Sequence, residues 1–136
     1  MMLVALFLSM ATVFAKSNEQ SKIVRTGDIP LCGTGLRITC IVDGDTFWLE
    51  RVKYRLAGLD APEVNARCVE ARMKSAEATA MLQGLVSGAD VKLTSVGLDR
   101  YQRILVTVSA NGVQVVDVMV QAGVAVRWTG RRHDWC

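Results

Sequence analysis

Three short motifs carry the side chains with the clearest chemistry in this chain. They are residues 43–46 (sequence DGDT), residues 55–63 (RLAGLDAPE) and residues 99–103 (DRYQR). Carboxylates in the first two motifs could hold a hard cation, and a further carboxylate could activate water. Arginines in the last two could bind a phosphate that gains charge in its transition state. Together, these residue types predict metal-assisted cleavage of a phosphodiester.

The residue types also indicate which ion the site would prefer. Oxygen ligands select calcium, magnesium or manganese over zinc or copper. Arginine offers a planar fork that matches two phosphate oxygens and stays charged at any working pH. A formal charge of −1 results from the five side chains that could form the site: Asp45, Asp60, Glu63, Arg55 and Arg103. A divalent cation would make that charge positive, so we predict that phosphodiester cleavage requires a metal.

The first motifs are expected in a sheet. Residues 36–40 alternate apolar and polar side chains, and the turn signal at residues 43–44 precedes a second apolar run. This pattern predicts a hairpin with acids at its bend. A third strand is predicted over residues 53–59, and Pro62 ends the pairing because it lacks a backbone donor.

A change of period after residue 68 predicts a helix over residues 69–86, followed by two strands over residues 91–95 and 103–109. The helix is expected to place these side chains near one face: Val69, Met73, Ala76, Ala80 and Leu85. Residues 111–112 (NG) predict a turn into a strand over residues 113–116, and a second helix follows. This order predicts a mainly β fold with helices, of the α+β class: a five-stranded OB-fold barrel with two packed helices.

The length and net charge of the chain limit the number of domains and the kinds of binding partner. A chain of 136 residues with 51% hydrophobic residues can form one compact domain with one core. The net charge of +3 permits an anionic partner without requiring one. Arg127, Arg131 and Arg132 cluster near the C-terminus, where a solvated tail and a phosphate-binding edge are equally good interpretations.

The N-terminus predicts export. Residues 1–15 contain no charged side chain and are interpreted as a signal peptide, cut before Lys16, or as an N-terminal anchor. Residues 16–34 are interpreted as a linker and N-terminal extension, and residues 35–136 as the barrel domain. The expected location is periplasmic or secreted, with no stable membrane association after cleavage.

Four cysteines make an even count in a short chain: Cys32, Cys40, Cys68 and Cys136. In an exported protein this favours two disulfides, although three connectivities are open. A zinc site is the alternative, but the spacing is not that of paired C-x-x-C knuckles and the single histidine stands apart. We favour pairing the first two and the last two cysteines. The longer loop would then contribute about 4 kcal/mol in the chain-entropy model.

The three motifs, in this order, resemble the staphylococcal nuclease (thermonuclease) family over residues 36–128. The resemblance implies an OB-fold, calcium-dependent endonuclease, a hydrolase that cleaves DNA and RNA and leaves 3′-phosphate ends. It implies that Asp45, Asp60 and the backbone carbonyl of Ala61 bind Ca²⁺. Ala61 stands where the best-known member has threonine, which a main-chain ligand tolerates.

The same resemblance implies roles for other positions. Glu63 would be the general base, while Arg55 and Arg103 would bind phosphate. Tyr101 and Trp128 are expected to stack on bases or sugars, with core or rim packing as the alternative. Asp43, the other acid at the bend, is expected to support the metal ligands or the bend itself and not to bind the metal directly. Gln102 stands where the family usually has glycine, and His133 is expected to be a tail residue without a catalytic role.

Three functions compete at this point. The first is an endonuclease that is expected to act as a monomer on single-stranded or flexible nucleic acid, since splayed bases let the phosphate reach the arginines. The second is a non-catalytic OB module that binds nucleic acid or protein, which loss of Glu63 or Arg103 would indicate; both are present. The third is a calcium- or carbohydrate-binding barrel stabilised by disulfides. This function would leave the arginines without a role.

Overall fold

The computed structural model describes residues 20–136, which contain nine strands and two helices. The strands are β1 (Ser21–Arg25), β2 (Cys40–Asp43), β3 (Thr46–Leu49), β4 (Val52–Leu56), β5 (Leu59–Asp60), β6 (Asp90–Leu98), β7 (Ile104–Ala110), β8 (Val113–Gln114) and β9 (Val126–Arg127). The helices are α1 (Val69–Val86) and α2 (Val115–Gln121).

The main sheet has the strand order β1-β6-β7-β4-β3-β2, and β8 pairs with β7. Its pairs are antiparallel except β4 with β7, which are parallel. Within residues 20–136 the sheet does not close through a pairing of β1 with β2, and β5 and β9 form a separate small sheet. Five strands correspond to those predicted: β2, β3, β4, β6 and β7. The mixed α+β, OB-like class is confirmed.

Helix α1 has the predicted bounds, but its predicted inner face is wrong. Four of the five side chains expected on that face are exposed: Val69, Met73, Ala76 and Ala80. The buried side chains are mostly small: Ala71, Ser75, Ala78, Thr79, Leu82 and Val86. The reason is a close approach at Gly44, where an added Cβ would lie 2.6 Å from the Cβ of Ala78. Only small side chains fit between this helix and the bend after β2.

This close approach predicts a loss of stability in Gly44→Ala. The added Cβ would lie 2.6 Å from the Cβ of Ala78 and 2.9 Å from that of Ala61. Such overpacking should lower the free energy of unfolding by about 1–3 kcal/mol. Urea denaturation would measure the change, with Gly27→Ala as the control, because a Cβ at Gly27 meets nothing within 4 Å. Equal stability of the two variants would contradict the packing described here.

Several predicted element boundaries differ from the structure. The predicted linker contains β1, which pairs with the edge of β6 and is fastened by Thr26, whose Oγ1 donates to the carbonyls of Val86 (2.6 Å) and Ala89 (3.1 Å). The strand expected from residue 36 begins only at Cys40. The strand expected over residues 53–59 divides into β4 and β5, because Gly58 adopts φ +76° between them.

After the hairpin of β7 and β8, helix α2 begins earlier than expected. The predicted turn is confirmed: Asn111 and Gly112 both have positive φ, and Ala110 pairs with Val113 across them. The strand expected over residues 113–116 stops after two residues, and Val115, which is fully buried, begins α2. Burial of this side chain in the core therefore outweighs its strand propensity.

Both favoured disulfides are present. Cys32 pairs with Cys40 at a Cα–Cα distance of 4.9 Å, and Cys68 pairs with Cys136 at 5.9 Å. Since Cys68 is the N-cap residue of α1, the second bridge ties residue 136 to the start of that helix. The predicted signal peptide or anchor, residues 1–15, lies outside the described residues. In the described part, neither helix is long and apolar enough to cross a membrane.

Candidate active site

The bend between β2 and β3 presents Asp45 as a nearly buried carboxylate. The hydroxyl of Thr46 donates to its Oδ1 at 2.9 Å, and Arg55 Nη2 lies 3.4 Å from its Oδ2. Asp43 Oδ1 accepts a hydrogen bond from the backbone N–H of Asp45 at 3.1 Å, so Asp43 shapes the bend as expected. Burial, aided by the negative charge of Asp45, raises the pKa of Asp43 to about 7.

Arg55 on β4 joins the first motif to the second. Its side chain is almost buried, and its Nη1 donates to the carbonyl oxygens of Leu56 (3.1 Å) and Leu59 (3.3 Å) while Nη2 faces Asp45. The guanidinium therefore neutralises a buried carboxylate and holds the backbone that leads to Asp60. A backbone hydrogen bond also joins the first motif to the second, since the N–H of Leu56 donates to the carbonyl of Asp45 at 2.8 Å.

Asp60 lies on β5, opposite Val126 of β9, and is only 1% exposed. Its Oδ2 accepts a hydrogen bond from the backbone N–H of His133 at 2.7 Å. Its Oδ1 is buried and has no hydrogen-bond partner among residues 20–136, although Arg132 Nη2 lies 3.4 Å away. A buried carboxylate oxygen without a donor is costly unless a positive charge is close, so this atom suits a cation.

The donor set fits a calcium ion. Asp45, Asp60 and the carbonyl of Ala61 all offer oxygen, the ligand atom that calcium takes, and water usually completes its coordination. The two segments meet where the Cβ of Ala61 packs on Gly44. In the described chain no three side chains of aspartate, glutamate, histidine or cysteine gather as a metal cluster. Any ion here would thus depend on two carboxylates, a carbonyl and water.

Arg103 is held by its own loop. Asp99 accepts hydrogen bonds from the backbone N–H groups of Tyr101 (2.8 Å) and Arg103 (2.9 Å) and from Arg103 Nε (2.5 Å). Burial alone would raise the pKa of Asp99, but these hydrogen bonds outweigh it and lower the pKa. Gln102 has φ +64°, the left-handed conformation that glycine favours, so the loop keeps a glycine-like turn without glycine.

One groove of about 880 Å³ brings the predicted catalytic and substrate-binding residues together. Its walls include Arg55, Glu63, Arg103, Tyr101 and Trp128. Five arginines and two carboxylates line it, a balance that attracts a polyanion. Both aromatic side chains are exposed, so they are available to a ligand.

The family model described as "Staphylococcal nuclease homologue" matches residues 53–134 of the chain. The chain belongs to the staphylococcal nuclease family. It is also similar to an uncharacterized endonuclease from Haemophilus influenzae, with 30% identity over 135 residues, which cover 98% of this chain and 67% of that protein. The family match begins after the bend that carries Asp45, whereas the pairwise similarity includes it.

In this member of the staphylococcal nuclease family, the C-terminal tail adds an arginine that the motifs did not reveal. Arg132 Nη2 lies 3.4 Å from Asp60 Oδ1 and donates to the carbonyl of Ala61 at 3.3 Å. Its Nη1 lies 3.4 Å from Glu63 Oε1. With Arg132 included, the formal charge of the candidate site is zero and not −1. A clue was present in the sequence, because a bridge from Cys68 to Cys136 returns the tail to the second motif.

Proposed function

We propose that this protein is a calcium-dependent endonuclease that hydrolyses phosphodiester bonds of DNA and RNA and leaves 3′-phosphate ends. The observation that carries the proposal is the single groove that joins Arg55, Glu63 and Arg103, next to the buried carboxylates Asp45 and Asp60. Membership of a nuclease family and similarity to a protein named as an endonuclease support it.

Each side chain has a defined task in this reaction. Glu63, whose side chain is 58% exposed, accepts the proton of the attacking water. Arg55 and Arg103 donate hydrogen bonds to phosphate oxygens as their charge grows. Water forms a bond to phosphorus, the bond to the 5′ oxygen breaks, and that oxygen takes up a proton to leave a 5′-hydroxyl and a 3′-phosphate.

Ca²⁺ would be held by Asp45, Asp60 and the carbonyl of Ala61. When bound, it offsets the carboxylate charge and polarises the phosphate. The oxygen donors and the buried Asp60 Oδ1 without a hydrogen-bond partner in the described chain support this assignment.

The preferred substrate is single-stranded or flexible nucleic acid. Tyr101 is 64% exposed and Trp128 is 44% exposed, and both line the groove beside the arginines. An exposed aromatic ring next to a cationic groove suits a splayed base, and each stacking contact would contribute about 1–3 kcal/mol. We further propose a monomer that works outside the cytosol, periplasmic or secreted, where its two disulfides would persist.

A non-catalytic module is the second candidate, because the same cationic groove with exposed aromatics would bind nucleic acid without cutting it. Glu63 separates the two functions, since a module has no use for a carboxylate among five arginines. Its presence in the groove favours the enzyme.

The test uses purified protein and denatured DNA carrying a 5′ label, with calcium or with excess chelator. We expect cleavage in calcium and none in chelator, because without the divalent ion the phosphate is not polarised for attack. Treatment with a phosphatase should shift the labelled products, which identifies 3′-phosphate ends. Full activity in chelator would contradict the calcium mechanism, and binding without cleavage in calcium would support the module.

A further inference from the structure

The C-terminal tail places a cation on the atoms proposed to bind the metal. The guanidinium of Arg132 lies 3.4 Å from Asp60 Oδ1, 3.3 Å from the carbonyl oxygen of Ala61 and 3.4 Å from Glu63 Oε1. These atoms belong to two proposed metal ligands and the proposed base. Asp60 is buried, so its Oδ1 has little access to other partners.

The tail is fastened on both sides of Arg132. Before it, β9 pairs with β5, and the backbone N–H of Trp128 donates to the carbonyl of Gly58 at 2.9 Å. After it, the backbone N–H of His133 donates to Asp60 Oδ2, and Cys136 is bridged to Cys68. A cation tethered in this way has a high effective concentration at the carboxylates, as a linked ligand does.

We propose that Arg132 is a tethered competitor of the divalent cation. A metal ion and a guanidinium cannot share Asp60 Oδ1 and the carbonyl of Ala61, because like charges at such short separations repel strongly. Metal binding therefore requires the Arg132 side chain to leave. It can do so without moving the tail, since it is 46% exposed, has a long stem and lines the open groove.

This inference rests on the proposed metal site and deepens it. The measured calcium affinity equals the intrinsic affinity multiplied by the fraction of molecules in which the Arg132 side chain has left the site. By the reciprocity of linked equilibria, bound metal lowers the affinity of Arg132 for the same carboxylates.

Isothermal titration of calcium into the purified protein, without nucleic acid, tests the proposal. Arg132→Gln should tighten calcium binding roughly 5-fold or more, within the usual range for coupled sites. Arg131→Gln is the matched control, because it removes the same charge from the adjacent position and Arg131 forms no ion pair with any residue from 20 to 136. At about 0.15 M salt, where the screening length is about 8 Å, its effect should be smaller.

The outcomes separate the two proposals. If wild-type protein binds calcium and Arg132→Gln binds it equally or more weakly, Arg132 is not a competitor. If wild-type protein and both variants bind no calcium, the metal site itself is wrong and the inference fails with it. Tightening by Arg131→Gln as large as that by Arg132→Gln would show a general charge effect and would also overturn the proposal.

The melting temperature gives a second readout, which remains informative even if the variant is less stable than wild type. In chelator, Arg132→Gln should melt at a lower temperature than wild type, because Asp60 Oδ1 loses its neighbouring cation. The rise on adding calcium should be larger in the variant, since stabilisation by a ligand increases with its affinity. A rise equal to or smaller than that of wild type would contradict competition.

The disulfide between Cys68 and Cys136 allows a test of whether the fastened tail holds Arg132 at the site. In the variant with both Cys68→Ser and Cys136→Ser, the end of the tail is released and Arg132 should compete less well. Adding Arg132→Gln in that background should then tighten calcium binding by a smaller factor than in the bridged protein. An undiminished factor would show that the bridge does not hold Arg132 at the site.

Discussion

Glu63→Gln should lower kcat for cleavage of denatured DNA by roughly 10²- to 10⁴-fold, because an amide cannot take the proton from the attacking water. Glutamine has nearly the same shape as glutamate, and the side chain of Glu63 is 58% exposed, so the fold should be unaffected. Initial rates on a labelled oligonucleotide in saturating calcium would measure the loss.

The control for this variant is calcium binding. The proposed ligands are Asp45, Asp60 and the carbonyl of Ala61, so calcium affinity should change far less than kcat does. Glu70→Gln is a matched substitution, because it removes an exposed carboxylate from the first turn of α1, outside the groove. Wild-type kcat in Glu63→Gln would assign the base to another group, and equal losses in both variants would exclude a specific role for Glu63.

Arg103→Lys should lower kcat by roughly 10²- to 10³-fold, the usual loss when one donor to the transition state is removed. The geometry explains why lysine cannot replace arginine here. Arg103 uses Nε to bond Asp99, and within residues 20–136 its two terminal nitrogens make no hydrogen bond, which leaves them free for phosphate oxygens. A lysine ammonium is a single point donor, so it cannot bond Asp99 and grip two phosphate oxygens in the same geometry.

The form of this loss is also predicted. An interaction made mainly in the transition state lowers kcat and kcat/KM together, with KM little changed. Arg100→Lys serves as the comparison, because Arg100 is exposed in the same loop and its Nη2 bonds only the hydroxyl of Tyr101 among the described residues. Its loss should be far smaller. Unchanged turnover in Arg103→Lys would remove Arg103 from the reaction.

The features that the sequence predicted well are those written in local patterns or in recognisable motifs. The bounds of α1 follow from spacing within that segment, and the turn at Asn111 and Gly112 from two adjacent residues. The grouping of Arg55 with Arg103 is not local. It was predicted from the family resemblance, and the parallel pairing of β4 with β7 provides it, with Arg55 opposite Leu105.

The features that were missed depend on contacts between distant segments. Apolar size suggested the wrong face of α1, because the close approach of Gly44 favours small side chains there. The strand β1 requires the edge of β6, where Ser21 pairs with Thr94, 73 residues later in the chain. Arg132 reaches Asp60 only because the tail is paired and bridged. No period or motif around residue 132 contains that information.

The burial of Arg55 has a consequence for how this protein can change in evolution. The guanidinium that would bind phosphate also neutralises Asp45 and holds the carbonyls of Leu56 and Leu59, so its loss would cost stability as well as turnover. Glu63 is exposed, so its replacement would be expected to affect the proposed reaction far more than the fold. A descendant that stopped cutting nucleic acid would therefore be expected to lose Glu63 early and to keep Arg55. In such a lineage, the presence of Arg55 would indicate common descent and a requirement of the fold, and would not be evidence of nuclease activity.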